Sequence, residues 1–273
     1  MKPVCHRTLR RQVNNIPFTK RHPIVQPFTP AESEDRLYNL VSDYLRRDNL
    51  QALPNSQRSL ITLVLRKLLA SSSFAIAGAL EAMSARLRSK LAKQEPAPLD
   101  ENLDHDYESL DATAEEWDDK EPEPPLSQED RAATQREIEE LDGFQKLAVS
   151  ITHNAKGQAL LQALKAAFEK ADKIGAARKA IIFTESRRTQ SYLLRVLADS
   201  PYKDGVVLFN GTNTDENSKK IYEEWISRHA GTDRISGSRS ADMRAAIVDY
   251  FREKGQIMIA TEAGAEGINL QFC

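Results

Sequence analysis

Cysteine is almost absent from this chain. Cys5 and Cys273 stand at opposite ends of its 273 residues, which excludes a disulfide framework and a thiolate metal cluster. Histidine is equally sparse. His6, His22, His105, His153 and His229 fall without the spacing that metal ligands need, so each reads as a surface or packing histidine. No apolar run approaches the roughly 18 residues that crossing a bilayer takes. The basic N-terminus lacks the apolar stretch of a secretory signal. These absences predict a soluble, cytoplasmic protein with no metal site and no membrane partner.

Charge is abundant but uneven. Residues 95–126 hold 13 acidic residues, one lysine and five prolines, among them Pro124 and Pro125. With −12 concentrated there and −2 overall, the remainder carries +10. A basic body of this kind suits a polyanion partner, although solvated surface lysines and arginines account for it equally well. The acidic segment cannot bury enough apolar area to offset the entropy of ordering, and is expected to be a disordered insertion.

The rest divides by pattern. Residues 1–28 read as a basic connector, rich in arginine and lysine and interrupted by Pro3, Pro17 and Pro23. Residues 29–94 read as a helical subdomain. Thr29, Pro30 and Glu32 form a helix start, and three apolar stripes follow, including Leu37, Val41 and Tyr44, then Ile61, Val64 and Leu68, then Ile76, Leu80, Met83 and Leu87. Residues 127–176 read as a helical lead-in, one helix capped by Ser127 and ending near Leu141, and a later one ending at Gly175.

From Lys179 the period changes. Ala180 to Phe183, Val206 to Phe209 and Ile257 to Ala260 are short apolar runs separated by helical patterns over residues 187–197, 216–228 and 240–251. Residues 231–239 look like a flexible tail of a polar insert. This alternation predicts a parallel α/β unit over residues 177–273, with its ligand at the carboxyl ends of the strands. Those ends are Thr184-Glu185-Ser186-Arg187, Asn210-Gly211 and Thr261-Glu262-Ala263-Gly264. Ser186, Arg187, Arg188 and Thr261 have the chemistry to hold phosphate oxygens, and Gly211 allows close backbone approach. Ser186 also suits a helix N-cap. Arg187 and Arg188 in a first helical turn oppose the helix dipole, so they need another reason to be there.

The motifs FTESRRTQSYL, FNG and IMIATEAGAEGINLQFC, in this order, resemble motifs IV to V of the superfamily-two helicases. The resemblance is to the second RecA-like lobe of Swi/Snf-type DNA translocases, especially the RapA-like branch. SADMRAAIVDYFR resembles the helix bearing that lobe's conserved arginine, here Arg244, and the stripes of residues 30–91 resemble the helical protrusion between the lobes. The resemblance implies an α/β fold: a partial RecA-like parallel sheet flanked by helices, with an N-terminal all-helical subdomain. It implies nucleic-acid contacts at Ser186, Arg187, Gly211, Thr261 and Glu262, and faces Gly267 and Asn269 toward ATP.

The phosphate loop G-x-x-x-x-G-K-[ST] and a magnesium-holding Asp-Glu pair are missing from the sequence, as is the final arginine-bearing motif. Ala241 stands where the family has a glutamine, and a polar insert lengthens the connection from Gly211. The expectation is therefore a piece of an ATP-dependent, helicase-like translocase on duplex DNA. ATP and magnesium would serve the whole parent protein together with a first RecA-like lobe. This piece alone should hold neither tightly, has no catalytic residue of its own and should not turn over ATP. Two alternatives are a non-enzymatic nucleic-acid-binding or regulatory module, and a small-molecule α/β enzyme whose candidate acids are Glu185, Glu262 and Glu266.

Overall fold

The computed structural model describes residues 23–53, 58–92, 127–152 and 154–261. The acidic segment 95–126, most of the basic connector, and Glu262, Gly267 and Asn269 lie outside the described residues.

Four helices share the first core: α1 (Glu32–Leu45), α2 (Arg58–Ser71), α3 (Ser73–Leu91) and α4 (Gln128–Ser150). The stripes expected from spacing are its content, with Val41, Tyr44, Leu65, Leu80 and Met83 buried. α4 joins them through Ile138, Leu141, Phe144 and Ala148. It runs nine residues beyond Leu141, where the sequence suggested an end, because Phe144 and Ala148 beyond Gly143 continue its buried stripe. Gly143 is therefore an interior glycine of the helix and not its stop. α1 begins two residues later than Thr29 and Pro30 suggest. Ala31 occupies the cap position, and Glu34 accepts its N–H at 2.7 Å.

Glu137 ties this core together. Its buried carboxylate accepts the Tyr44 hydroxyl at 2.7 Å and the amides of Gln51 and Ala52 at 2.8 and 3.0 Å. Burial, reinforced by Glu137, pushes the Tyr44 hydroxyl far above the usual phenol range, so it stays protonated and donates.

The second unit contains helix α5 (Ala155–Lys173), strand β1 (Ala180–Thr184), α6 (Arg187–Ala198), β2 (Val206–Phe209), α7 (Glu216–Arg228), α8 (Arg239–Glu253) and β3 (Ile257–Thr261). The strands form a parallel sheet in the order β1-β3-β2, with Ala180 and Val206 both level with Ile257. β3 is central and buried throughout. Its side chains alternate between faces, as a pleated strand requires. Ile257 and Ile259 meet Leu164, Phe168 and Leu193 of α5 and α6, whereas Met258 and Ala260 meet Trp225, Ile247 and Phe251 of α7 and α8. β1 is less buried than its apolar sequence suggests: it pairs on one side only among the described residues, and Phe183 is 58% exposed. Gly175 ends α5 with φ of +66°, the left-handed conformation that glycine adopts without a Cβ penalty.

The units meet along α6. Tyr192 stacks on Phe74 of α3 at 4.6 Å between ring centres, and its hydroxyl accepts the Asn154 amide at 3.2 Å. Thr189 shares hydrogen bonds with Ser71 and Ser72 at 2.9 and 3.3 Å. The Arg188 guanidinium lies directly over Gly78, where even a Cβ would collide with it.

Candidate functional site

The parallel sheet brings its three carboxyl ends together. Thr184 and Thr261 are level with each other, and β2 stops one strand away at Phe209. Ser186 follows β1 and caps α6. Its hydroxyl accepts the amides of Arg188 and Thr189 at 3.1 and 3.4 Å. It is 0% exposed, so of its two expected jobs the cap is the one this geometry performs. Thr261 is likewise buried. Arg188 turns away toward α3 and is not part of this edge.

Arg187 is the cation at the mouth. Its guanidinium donates to Asn210 Oδ1 at 3.2 Å and to the Thr212 hydroxyl. Behind it, the turn after β2 is built by two asparagines. Asn210 Oδ1 accepts the amides of Thr212 and Asn213 at 3.2 and 2.7 Å, and Asn213 Oδ1 accepts the Asn210 amide at 2.8 Å. Asn213 takes φ of +48°, a conformation that asparagine tolerates better than most residues. Gly211 is exposed between them. Deeper still, Gln190 is 2% exposed and reaches both β2 and β3.

Arg244 sits half-buried on α8, and its Nε is buried without a hydrogen-bond partner. The helix is held from its other side by Asp249, which accepts Trp225 Nε1 at 2.8 Å and Arg234 at 2.6 Å. Arg234 thereby ties down residues 231–238, as does Asp242, which accepts the amide and hydroxyl of Ser236 at 2.9 and 2.7 Å. The insert expected to be a flexible tail is therefore anchored at two points. The Ser236 bonds, hydroxyl first, hold the Asp242 carboxyl below the usual carboxylate range.

A cleft of about 500 Å³ opens between the helical unit and the end of β1. Glu185 faces it and pairs with Lys67 at 3.6 Å, a solvent-exposed contact worth little in stability. Among the described residues no group of three His, Cys, Asp or Glu side chains converges as metal ligands would, and no helix is long and apolar enough to cross a membrane.

Gln190, Asn210 and Asn213 were not legible as a network in sequence. A lone glutamine in a helix resembles a surface residue, and the one available signal was the FNGTN turn after an apolar run.

Residues 156–273 match the family model described as helicase conserved C-terminal domain. A stretch of 72 residues is 39% identical to YqhH, an uncharacterized ATP-dependent helicase of Bacillus subtilis (strain 168), and covers 26% of this chain and 12% of that protein. No solved structure matches the chain significantly. These matches and the three-stranded parallel sheet agree on a partial RecA-like helicase C-terminal lobe, and they support a superfamily-two helicase.

Proposed function

We propose that this chain contributes the second lobe of an ATP-driven translocase on duplex DNA, of the Swi/Snf type and RapA-like branch. The carboxyl edge of the sheet grips the nucleic-acid backbone. Arg187 supplies the charge, Gly211 leaves room for a phosphate, Ser186 caps the helix that carries Arg187, and Thr261 and Glu262 are assigned to the same nucleic-acid contact. Gly267 and Asn269 are assigned to the nucleotide, and Arg244 to the role of the lobe's motif arginine. ATP and magnesium belong to the whole protein and its first lobe. ATP supplies the energy for lobe closure; the residues described here bind and orient nucleic acid.

The observation that carries this reading is Arg187 held at the strand-end mouth by Asn210 and Thr212. Arg187 stands in the first turn of α6, where a cation opposes the helix dipole, next to the exposed Gly211. The alignment to YqhH supports ATP dependence by likeness. The acidic candidate Glu185 faces a surface lysine, which gives a small-molecule acid–base site no further support.

The test has two arms. The chain should bind duplex DNA weakly, with affinity falling steeply as salt rises, and should show no DNA-stimulated ATP turnover by itself. Turnover that survives repurification, or no DNA binding even at low salt, would overturn the reading.

A further inference from the structure

Gln190 projects from α6 into the sheet end and uses its whole amide. Nε2 donates to the Ile259 carbonyl at 2.7 Å and to the Phe209 carbonyl at 3.1 Å, and Oε1 accepts Asn210 Nδ2 at 3.0 Å. Rotating the amide by half a turn would set an oxygen against two carbonyls, so its orientation is fixed by its partners. The Asn210 amide is oriented in turn: its nitrogen faces Gln190, and its oxygen faces Arg187 and the turn amides. Two buried amides in series thus connect the main chain of the central strand to a guanidinium at the surface.

A leucine or methionine would fill the volume of Gln190 without placing a polar group in the core. Burying an amide is costly unless every bond is made, and here every bond is made. What the glutamine adds over an apolar residue is a defined distance between β3, β2 and the anchor of Arg187.

We propose that Gln190 is a positioning residue: through Asn210 it holds the Arg187 guanidinium in register with the end of β3, so that the contacts from the first and third strand ends meet one backbone together. This rests on the reading of Arg187 as a phosphate contact. Coupling of this kind makes the grip of α6 sensitive to any displacement of β3.

The experiment measures binding of the full chain to a labelled DNA duplex across a salt series, with thermal melts in parallel. Losing one phosphate contact lowers the slope of log affinity against log salt by about 0.9. Arg187→Ala should show that loss. Gln190→Met and Asn210→Ala should each show the same loss while remaining folded, and neither should add to it when combined with Arg187→Ala. A merely structural role lowers the melting temperature and the active fraction but leaves the slope intact. A wild-type slope in Asn210→Ala and Gln190→Met, with a reduced slope in Arg187→Ala, overturns the positioning role alone. Should Gln190→Met not fold, Gln190→Leu takes its place in the same comparison. A wild-type slope in Arg187→Ala overturns the phosphate reading, and the positioning role with it.

Discussion

Trp225 donates its indole N–H to the buried carboxylate of Asp249 at 2.8 Å, and that carboxylate also accepts Arg234 and Arg252 at 2.6 and 3.3 Å. The pair joins α7 to α8 on the face of the sheet opposite α6. Arg234 lies over the Trp225 ring at 5.7 Å and covers it from solvent. Trp225→Phe keeps most of the apolar contact but removes a donor from a buried acceptor. It should cost about 1–3 kcal/mol, read from urea unfolding. Arg234→Ala leaves the Trp–Asp bond in place and removes one of the two anchors of residues 231–238, so it should accelerate limited proteolysis there with a smaller change in stability.

The helical unit has its own polar clasp. Glu137 gathers three donors from two segments, Tyr44 and the turn at Gln51 and Ala52. Glu137→Ala would leave all three without an acceptor, and a loss of about 3 kcal/mol or more is expected from the desolvation of unpaired groups. Tyr44→Phe removes one donor and leaves the carboxylate two others, so about 1 kcal/mol is expected. Equal losses in the two variants would refute the clasp.

Two glycines at the junction of the units predict opposite outcomes. A Cβ on Gly157 would sit 2.4 Å from the Tyr192 hydroxyl, and that ring is fixed by stacking on Phe74. Gly157→Ala should therefore destabilise by about 1–3 kcal/mol through overpacking. A Cβ on Gly78 would meet only the far end of Arg188, at 1.9 Å. That side chain can swing aside, and alanine favours a helix interior by about 1 kcal/mol. Gly78→Ala should thus be near neutral in melting temperature.

Asp242 sets an acid limit on the anchored insert. The Ser236 hydroxyl and amide hold its carboxyl below the usual range in the folded chain. A depressed folded value means that its stabilisation is fully present above the unfolded carboxylate value, about 3.9. It is lost as pH falls through the folded value. Asp242→Asn should flatten the stability profile below about pH 4 and leave its shape near neutrality unchanged. Parallel profiles across the acid range would show that the carboxylate is not linked to folding.

How much was readable in advance follows from how local each cause is. β3 was legible because Ile257 to Ala260 is apolar on both faces, which only a central strand requires. α6 was legible because Ser186 offers a cap immediately before an amphipathic run. Other features depend on partners distant in sequence. Arg188 reads as a phosphate ligand until Gly78, more than a hundred residues earlier, is found beneath it. Gln190 reads as a surface polar residue until two strands arrive on either side of its amide. The exposure of Phe183 has the same origin: burial of an edge strand depends on neighbours that its own sequence cannot name.

The strand order carries a consequence for biosynthesis. Among the described residues β1 and β2 do not pair with each other; each bonds to β3, which is made last of the three. Among these three strands there is no hairpin, so the pairing of β1 and β2 into one sheet waits until Ile257 to Thr261 leaves the ribosome and slots between them. The four-helix unit needs nothing beyond Ile151 for its core, so it can be complete while the rest of the nascent chain is still waiting for its keystone.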